Sequence, residues 1–135
     1  MGYRSQVVIA FKREAFWKHV GEDIIHFKDC DQILQTEDSV TFLWESVKWE
    51  PLYADVQAVT RVVEKVASDE SYTDDDHYGF LRLGEKEDDI ERLGNPWNFD
   101  VYLYQHISVD DSADEIEHDK FFAPNSIKFI RGDDD

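Results

Sequence analysis

The chain has 135 residues, 31 of them acidic and 14 basic, for a formal net charge of −17. That length suits one domain, and an aromatic content of 14% is far too rich for a disordered acidic tail, so a single folded acidic domain over residues 1–135 is expected. The charge argues against direct binding to nucleic acid or to an anionic membrane, since phosphate contacts need Lys and Arg.

Residues 3–11 (YRSQVVIAF) are β-branched and apolar and predict a mostly buried first strand. Residues 12–20 place Ala15, Phe16, Trp17 and Val20 on a helical face that stops at Gly21. Residues 22–39, with Ile24, Ile25, Phe27, Ile33 and Leu34, read either as short strands or as an irregular connection. Residues 40–49 (VTFLWESVKW) are strand-like. Pro51 opens the clearest helix, with Leu52, Val56, Val59, Val63 and Val66 as one apolar stripe down to Ala67. Valines are weak helix formers, so this helix must depend on packing against a sheet.

Residues 78–83 (YGFLRL) form a third strand stopped by Gly84, and residues 88–93 read as one helical turn before Gly94, Asn95 and Pro96. Residues 101–109 alternate as one strand, with Val101, Leu103, Ile107 and Val109 on one face and Tyr102, Tyr104, His106 and Ser108 on the other. Residues 126–131 (SIKFIR) read as a short last strand, and 109–135 otherwise as an irregular acidic extension. The order predicts an α+β fold: a mainly antiparallel sheet with two helices packed on one face, a ferredoxin-like arrangement being one candidate.

The charge is unevenly placed. Residues 1–68 carry a net −3 and residues 69–135 a net −14. The excess falls in three clusters, Asp69 to Asp76, Glu85 to Glu91 and Asp110 to Asp119, and in a terminal run of three Asp. Two readings stand: solvated loops that keep the protein soluble, or an array that faces a partner.

No catalytic motif emerges. Phosphate loops and a nucleophile elbow are absent, and one Cys with five scattered His does not make a zinc site. Cys30 reads as a small buried hydrophobe rather than a nucleophile, and a lone cysteine makes no internal disulfide. Asp74, Asp76, Gly79 and Glu85 fall into four positions of a twelve-residue calcium frame, but Tyr78 replaces a side-chain ligand and residues 80–83 read as strand, so an acidic turn explains them. His77 and His118, flanked by acids, read as loop residues. Trp17, Trp44 and Trp49 are expected in the core; Trp97 reads as core cover, with an exposed interface anchor as its alternative. No cofactor, no metal and no enzymatic activity are expected. Residues 1–11 are interrupted by Lys12 and Arg13 too soon for a signal peptide, and no apolar run reaches membrane-spanning length, so the cytoplasm is the expected compartment.

The opening Met1-Gly2-Tyr3-Arg4-Ser5, the stretch from Trp44 to Trp49, and Arg82-Leu83-Gly84-Glu85 followed by Asp88-Asp89-Ile90-Glu91 resemble a group of small bacteriophage and prophage proteins. Only these short stretches, within residues 1–109, carry the resemblance. It implies a phage origin and assigns no catalytic residue. Phages encode many small acidic proteins that occupy nucleic-acid-binding surfaces of host proteins. The expectation is therefore a non-enzymatic inhibitor acting as a DNA mimic on a host defence or DNA-handling protein, in the manner of anti-restriction or anti-CRISPR proteins, with a basic groove as its target. Asp74, Asp75, Asp76, Glu87, Asp88, Asp89, Asp110, Asp111, Asp114, Glu115 and Glu117 are the expected partner-binding residues. The alternatives are a small-ligand or nucleotide-sequestering domain, with Tyr102, Tyr104, His106, Arg4 and Arg82 around a pocket, and a metal-dependent enzyme.

Overall fold

The computed structural model describes residues 3–72, 75–86, 88–99, 101–103, 107–109, 114–118 and 121. The first apolar run forms β1, Ser5–Lys12, in which every residue from Val7 to Phe11 is buried, as an uninterrupted apolar strand requires. Arg13–His19 form α1, followed by a 3-10 segment over Gly21–Phe27. Then come β2, Gln32–Gln35, β3, Ser39–Val47, α2, Ala54–Ala67, and β4, Tyr78–Leu83. Ile90–Gly94 form β5, Pro96–Phe99 a 3-10 turn, and Val101–Leu103, Ile107–Val109 and Asp114–Ile116 the short strands β6, β7 and β8.

The fold is α+β. Its main sheet has six antiparallel strands in the order β5-β4-β1-β3-β2-β8. The inner four, β4-β1-β3-β2, with a helix after β1 and another after β3, have the ferredoxin-like split-βαβ connectivity; β5 and β8 extend the edges. Both α-helices pack on one face. There Ala15 and Phe16 of α1 and Val59, Val62, Val63 and Val66 of α2 meet Val7, Ile9, Phe11, Phe42, Trp44 and Phe80 of the sheet. Phe16 and Phe27 sit with ring centroids 5.1 and 4.6 Å from Phe42, an aromatic knot under α1. The opposite face carries a smaller cluster of Val8, Ala10, Leu43, Leu81 and Val101. At Gly79 the turn after β5 lies so close that a Cβ there would meet Pro96 Cα at 2.5 Å.

Several expectations are corrected. α2 begins at Ala54, because the Tyr53 N–H donates to the Glu50 carbonyl at 3.0 Å and closes a turn over Pro51 and Leu52. Leu52 therefore leaves the apolar stripe and is 85% exposed. Residues 88–93 are not helical. The Gly84 N–H donates to the Asp89 carbonyl at 2.8 Å and the Asn95 N–H to the Tyr78 carbonyl at 2.9 Å, and between them β5 pairs along β4. Residues 101–109 are two strands of a hairpin, not one strand: Val101 pairs with Val109 and Leu103 with Ile107. This segment pairs with itself as a separate two-stranded sheet, apart from the main one. The C-terminal region is not wholly an extension, since it supplies β8 and the fully buried Phe121. The expected strand over 126–131 lies outside the described residues. Trp97 is half exposed, its ring 4.8 Å from the Arg92 guanidinium. No helix among the described residues is long and apolar enough to cross a membrane.

Candidate functional site

Strand order and register place the acidic clusters. One row of the sheet runs Tyr78, Phe11, Val40, Gln35, Asp114. Asp76, exposed just before β4, therefore lies at the same end of the sheet as Asp114 on β8, four strands away, or ~19 Å at ~4.8 Å per strand. Asp88 and Asp89 close the turn from β4 to β5 at the opposite end and the opposite edge. The fold thus brings the first and third clusters to one end of the sheet and separates the second from them. Asp75 is placed in a 3-10 turn over Asp75–His77; Asp74, Glu87, Asp110 and Asp111 lie outside the described residues.

The carboxylates divide by what they hold. Asp69, its side chain only 6% exposed, takes His19 Nε2 at 2.7 Å and Lys18 Nζ at 2.9 Å, and these bonds hold its carboxyl well below the usual range. Asp76 accepts a hydrogen bond from Asn95 Nδ2 at 2.8 Å, and Glu85 from the Arg4 N–H at 2.7 Å. Asp23 pairs with Arg61 at 3.1 Å. Asp88, Asp114, Glu115 and Glu117 are exposed, and among the described residues no ion pair includes the first three.

Asp89 belongs to a cleft that the clusters do not suggest. β4 alternates Tyr78, Phe80, Arg82 toward α2, so Arg82 continues a buried row and must find counter-charges. It finds them on β5 and the turn: Nη2 donates to Asp89 Oδ1 at 2.7 Å, Nε to Glu91 Oε1 at 3.0 Å, and Nη1 to the Ser5 hydroxyl at 3.0 Å. The Tyr3 hydroxyl donates to Asp89 Oδ2 at 2.7 Å and accepts from the Lys86 N–H at 2.9 Å. Arg82 first, then Tyr3, lowers the Asp89 pKa, and the pairing with Asp89 raises that of Arg82. Around this network α2 and the β4–β5 hairpin enclose a cleft of about 380 Å³ with Trp49, Pro51, Val56, Val63, Phe80 and Leu93 as its apolar walls. Glu50 and Glu91 add acid to it.

Arg82 thus lines a cleft, as the ligand-binding alternative required, but in the company of Tyr3, Trp49 and Phe80. The side chains of Tyr102, Tyr104 and His106 lie outside the description, and Arg4 donates instead to the Ser46 carbonyl at 3.2 Å. The signal for the cleft in the sequence was the arginine continuing an apolar alternation.

Burial pushes the Cys30 thiol up to about 12, with Asp31 adding to it. His118 Nε2 lies 3.6 Å from Cys30 Sγ but 2.7 Å from the Cys30 carbonyl. A nitrogen donating to that carbonyl carries its own proton and cannot take the thiol's. His77 is no loop residue: it is 1% exposed, with Nε2 2.6 Å from the Val66 carbonyl and its ring stacked 4.5 Å from Tyr72. Of the calcium frame, Asp76 and Glu85 stand at opposite ends of β4, roughly 20 Å of extended chain apart, so they cannot share an ion. Among the described residues no three His, Cys, Asp or Glu side chains converge as a metal site.

Comparison with protein-family models, with curated proteins and with solved structures returned no match for this chain.

Proposed function

We propose that the protein is a non-enzymatic inhibitor of phage origin that engages a basic nucleic-acid-binding surface on a host defence or DNA-handling protein. One observation supports this most: several cations are held by acids of the fold, while exposed acids hold none among the described residues. Lys18, Arg61 and Arg82 each sit in an ion pair with an acid of the chain, whereas Asp88, Asp114 and Glu115 face solvent. A partner therefore meets the uncompensated part of the −17. Self-repulsion among these groups costs folding stability, and a basic groove relieves it on binding. The two sheet edges, five strand spacings apart, hold carboxylates over ~24 Å, the axial rise of about seven base pairs of duplex DNA. The nucleotide-sequestering reading fares worse, because a phosphate entering the cleft would meet Asp89 and Glu91 on the one arginine there.

The test is capture of a partner from host lysate on the immobilised protein, with elution by salt and by duplex DNA. A DNA-binding protein that leaves between about 50 and 200 mM salt, and that DNA displaces, is the expected outcome. The combined variant Asp88→Asn, Asp114→Asn, Glu115→Gln should bind it at least about tenfold more weakly. A partner held independently of salt, or held equally by the neutralised variant, would sink the proposal.

A further inference from the structure

We propose that the cleft between α2 and the β4–β5 hairpin seats a lysine or arginine side chain of a protein partner, whose extended segment lies along β5. This rests on the reading above and names the anchor within it.

The first argument is charge. Three carboxylates, Glu50, Asp89 and Glu91, line the cleft against one guanidinium, so its net charge is negative even with Arg82 inside. Arg82 already donates to Asp89, Glu91 and Ser5, and its side chain is 16% exposed, leaving little for an incoming anion. Glu91, by contrast, is 49% exposed and borders the opening.

The second argument is shape. About 380 Å³ accommodates a long side chain and part of its flanking backbone, and the walls from Trp49, Pro51, Phe80 and Leu93 suit an aliphatic stem. Trp49 and Phe80, with ring centroids 6.0 Å apart, both line the cleft, and the partly exposed Trp49 supplies aromatic surface for a cation. Apolar stem and cationic head together describe lysine and arginine, and neither a nucleotide nor a fatty chain meets both demands.

The third argument is the edge. β5 ends the sheet, and Ile90, Glu91, Arg92 and Leu93 are all exposed. Glu91 and Leu93 line the cleft, while Arg92 on the alternate face meets Trp97. A segment added beside β5 would direct every second side chain over the cleft, so backbone pairing and the basic anchor act in one register.

The experiment uses the full chain, ¹⁵N-labelled, titrated with acetyl-Thr-Val-Arg-Val-Thr amide and with matched peptides bearing Lys, Gln or Glu at the centre. Adenosine monophosphate serves as the anionic probe. The Arg and Lys peptides should shift the Trp49 indole and the β5 amides saturably, and bind at least about tenfold more tightly than the Gln peptide. Glu50→Gln with Glu91→Gln should cost about tenfold, and Thr60→Trp, which fills the cleft from α2, should abolish the shifts. The variant neutralised at Asp88, Asp114 and Glu115 should bind the peptides within about twofold of the wild type. Equal binding of the Gln peptide, tighter binding of adenosine monophosphate, or no response at Trp49 overturns the proposal. Glu91→Gln alone, at an exposed position, keeps the test valid if Thr60→Trp loses its dispersed spectrum. Should the peptides fail while a DNA-displaceable partner is still captured, the cleft proposal falls and the inhibitor reading stands; peptide binding without such a partner gives the reverse.

Discussion

Gly79→Ala isolates the packing that holds the turn after β5 onto the sheet. A Cβ at Gly79 would stand 2.5 Å from Pro96 Cα and 2.8 Å from Pro96 N, against an optimum of ~3.5–4.0 Å for such pairs. Both atoms are backbone, and the preceding Asn95 N–H is bound to the Tyr78 carbonyl at 2.9 Å, so the turn must move by about 1 Å as a unit. Overpacking of this kind costs about 1–3 kcal/mol. Replacing glycine within a strand returns ~0.4–1 kcal/mol through the unfolded chain. The net destabilisation is about 1–2 kcal/mol, or a Tm drop of roughly 4–8 °C for a domain of this length. Thermal and urea unfolding followed by circular dichroism read it directly. Gly21 is the control: nothing lies within 4 Å of a Cβ there, but its φ is +52°. Gly21→Ala should cost about 1–2 kcal/mol from backbone conformation alone, and Gly21→Asn should recover part of that loss. Gly79→Asn should be worse than Gly79→Ala. A Gly79→Ala protein with unchanged or higher Tm would refute the close approach of Pro96.

Phe16 is fully buried, with ring centroids 5.1–5.3 Å from Phe42, Phe11, Trp17 and Phe27; Phe16→Ala should cost about 3–5 kcal/mol, read as a fall in urea midpoint at unchanged slope. Asp69 and Asp89 both have folded-state pKa values below the ordinary 3.8. Their contribution is therefore complete above about pH 4 and lost as pH falls through the folded values. Protonation elsewhere relieves repulsion across the whole surface, so the difference in Tm between wild type and Asp69→Asn is the quantity to follow. It should be positive at pH 6 and shrink steadily below pH 3.8, and a constant difference would contradict the ion pairs. Cys30, buried with its thiol pushed up to about 12, should resist Ellman's reagent at pH 8 until urea unfolds the chain. Rapid labelling of the native protein would show the site to be open.

What the sequence disclosed about the fold followed the reach of each signal. The run from Val7 to Phe11 and the valines of α2 announced themselves because burial on two faces, or on one stripe, leaves a local pattern. β5 left none. It is an edge strand exposed on both faces, so Ile90 to Leu93 do not alternate, and only pairing with β4 makes them a strand. The break within residues 101–109 was hidden for a related reason: alternation is the same whether a segment pairs with a neighbour or with itself. Which strands form the edges is a non-local fact, and it decides that Asp88 and Asp114 lie toward opposite edges of the sheet.

Arg82 carries the sharpest consequence of that limit. Its alternation with Tyr78 and Phe80 predicts a charge on the core face, and a charge there requires partners. The sequence offers so many acids that it cannot say which; the β4–β5 register puts Glu91 directly across from Arg82, and the turn returns Asp89 to it. Counting acids therefore merges two populations with opposite roles. Asp69 and Asp89 spend their charge holding Lys18, His19 and Arg82, and neutralising them would damage the fold. Asp88, Asp114 and Glu115 hold no described cation, and neutralising them should leave the fold intact or stabilise it by relieving repulsion. An assay that sees partner binding fall while Tm holds or rises at these three positions would assign their charge to recognition, and no total over the chain could make that separation.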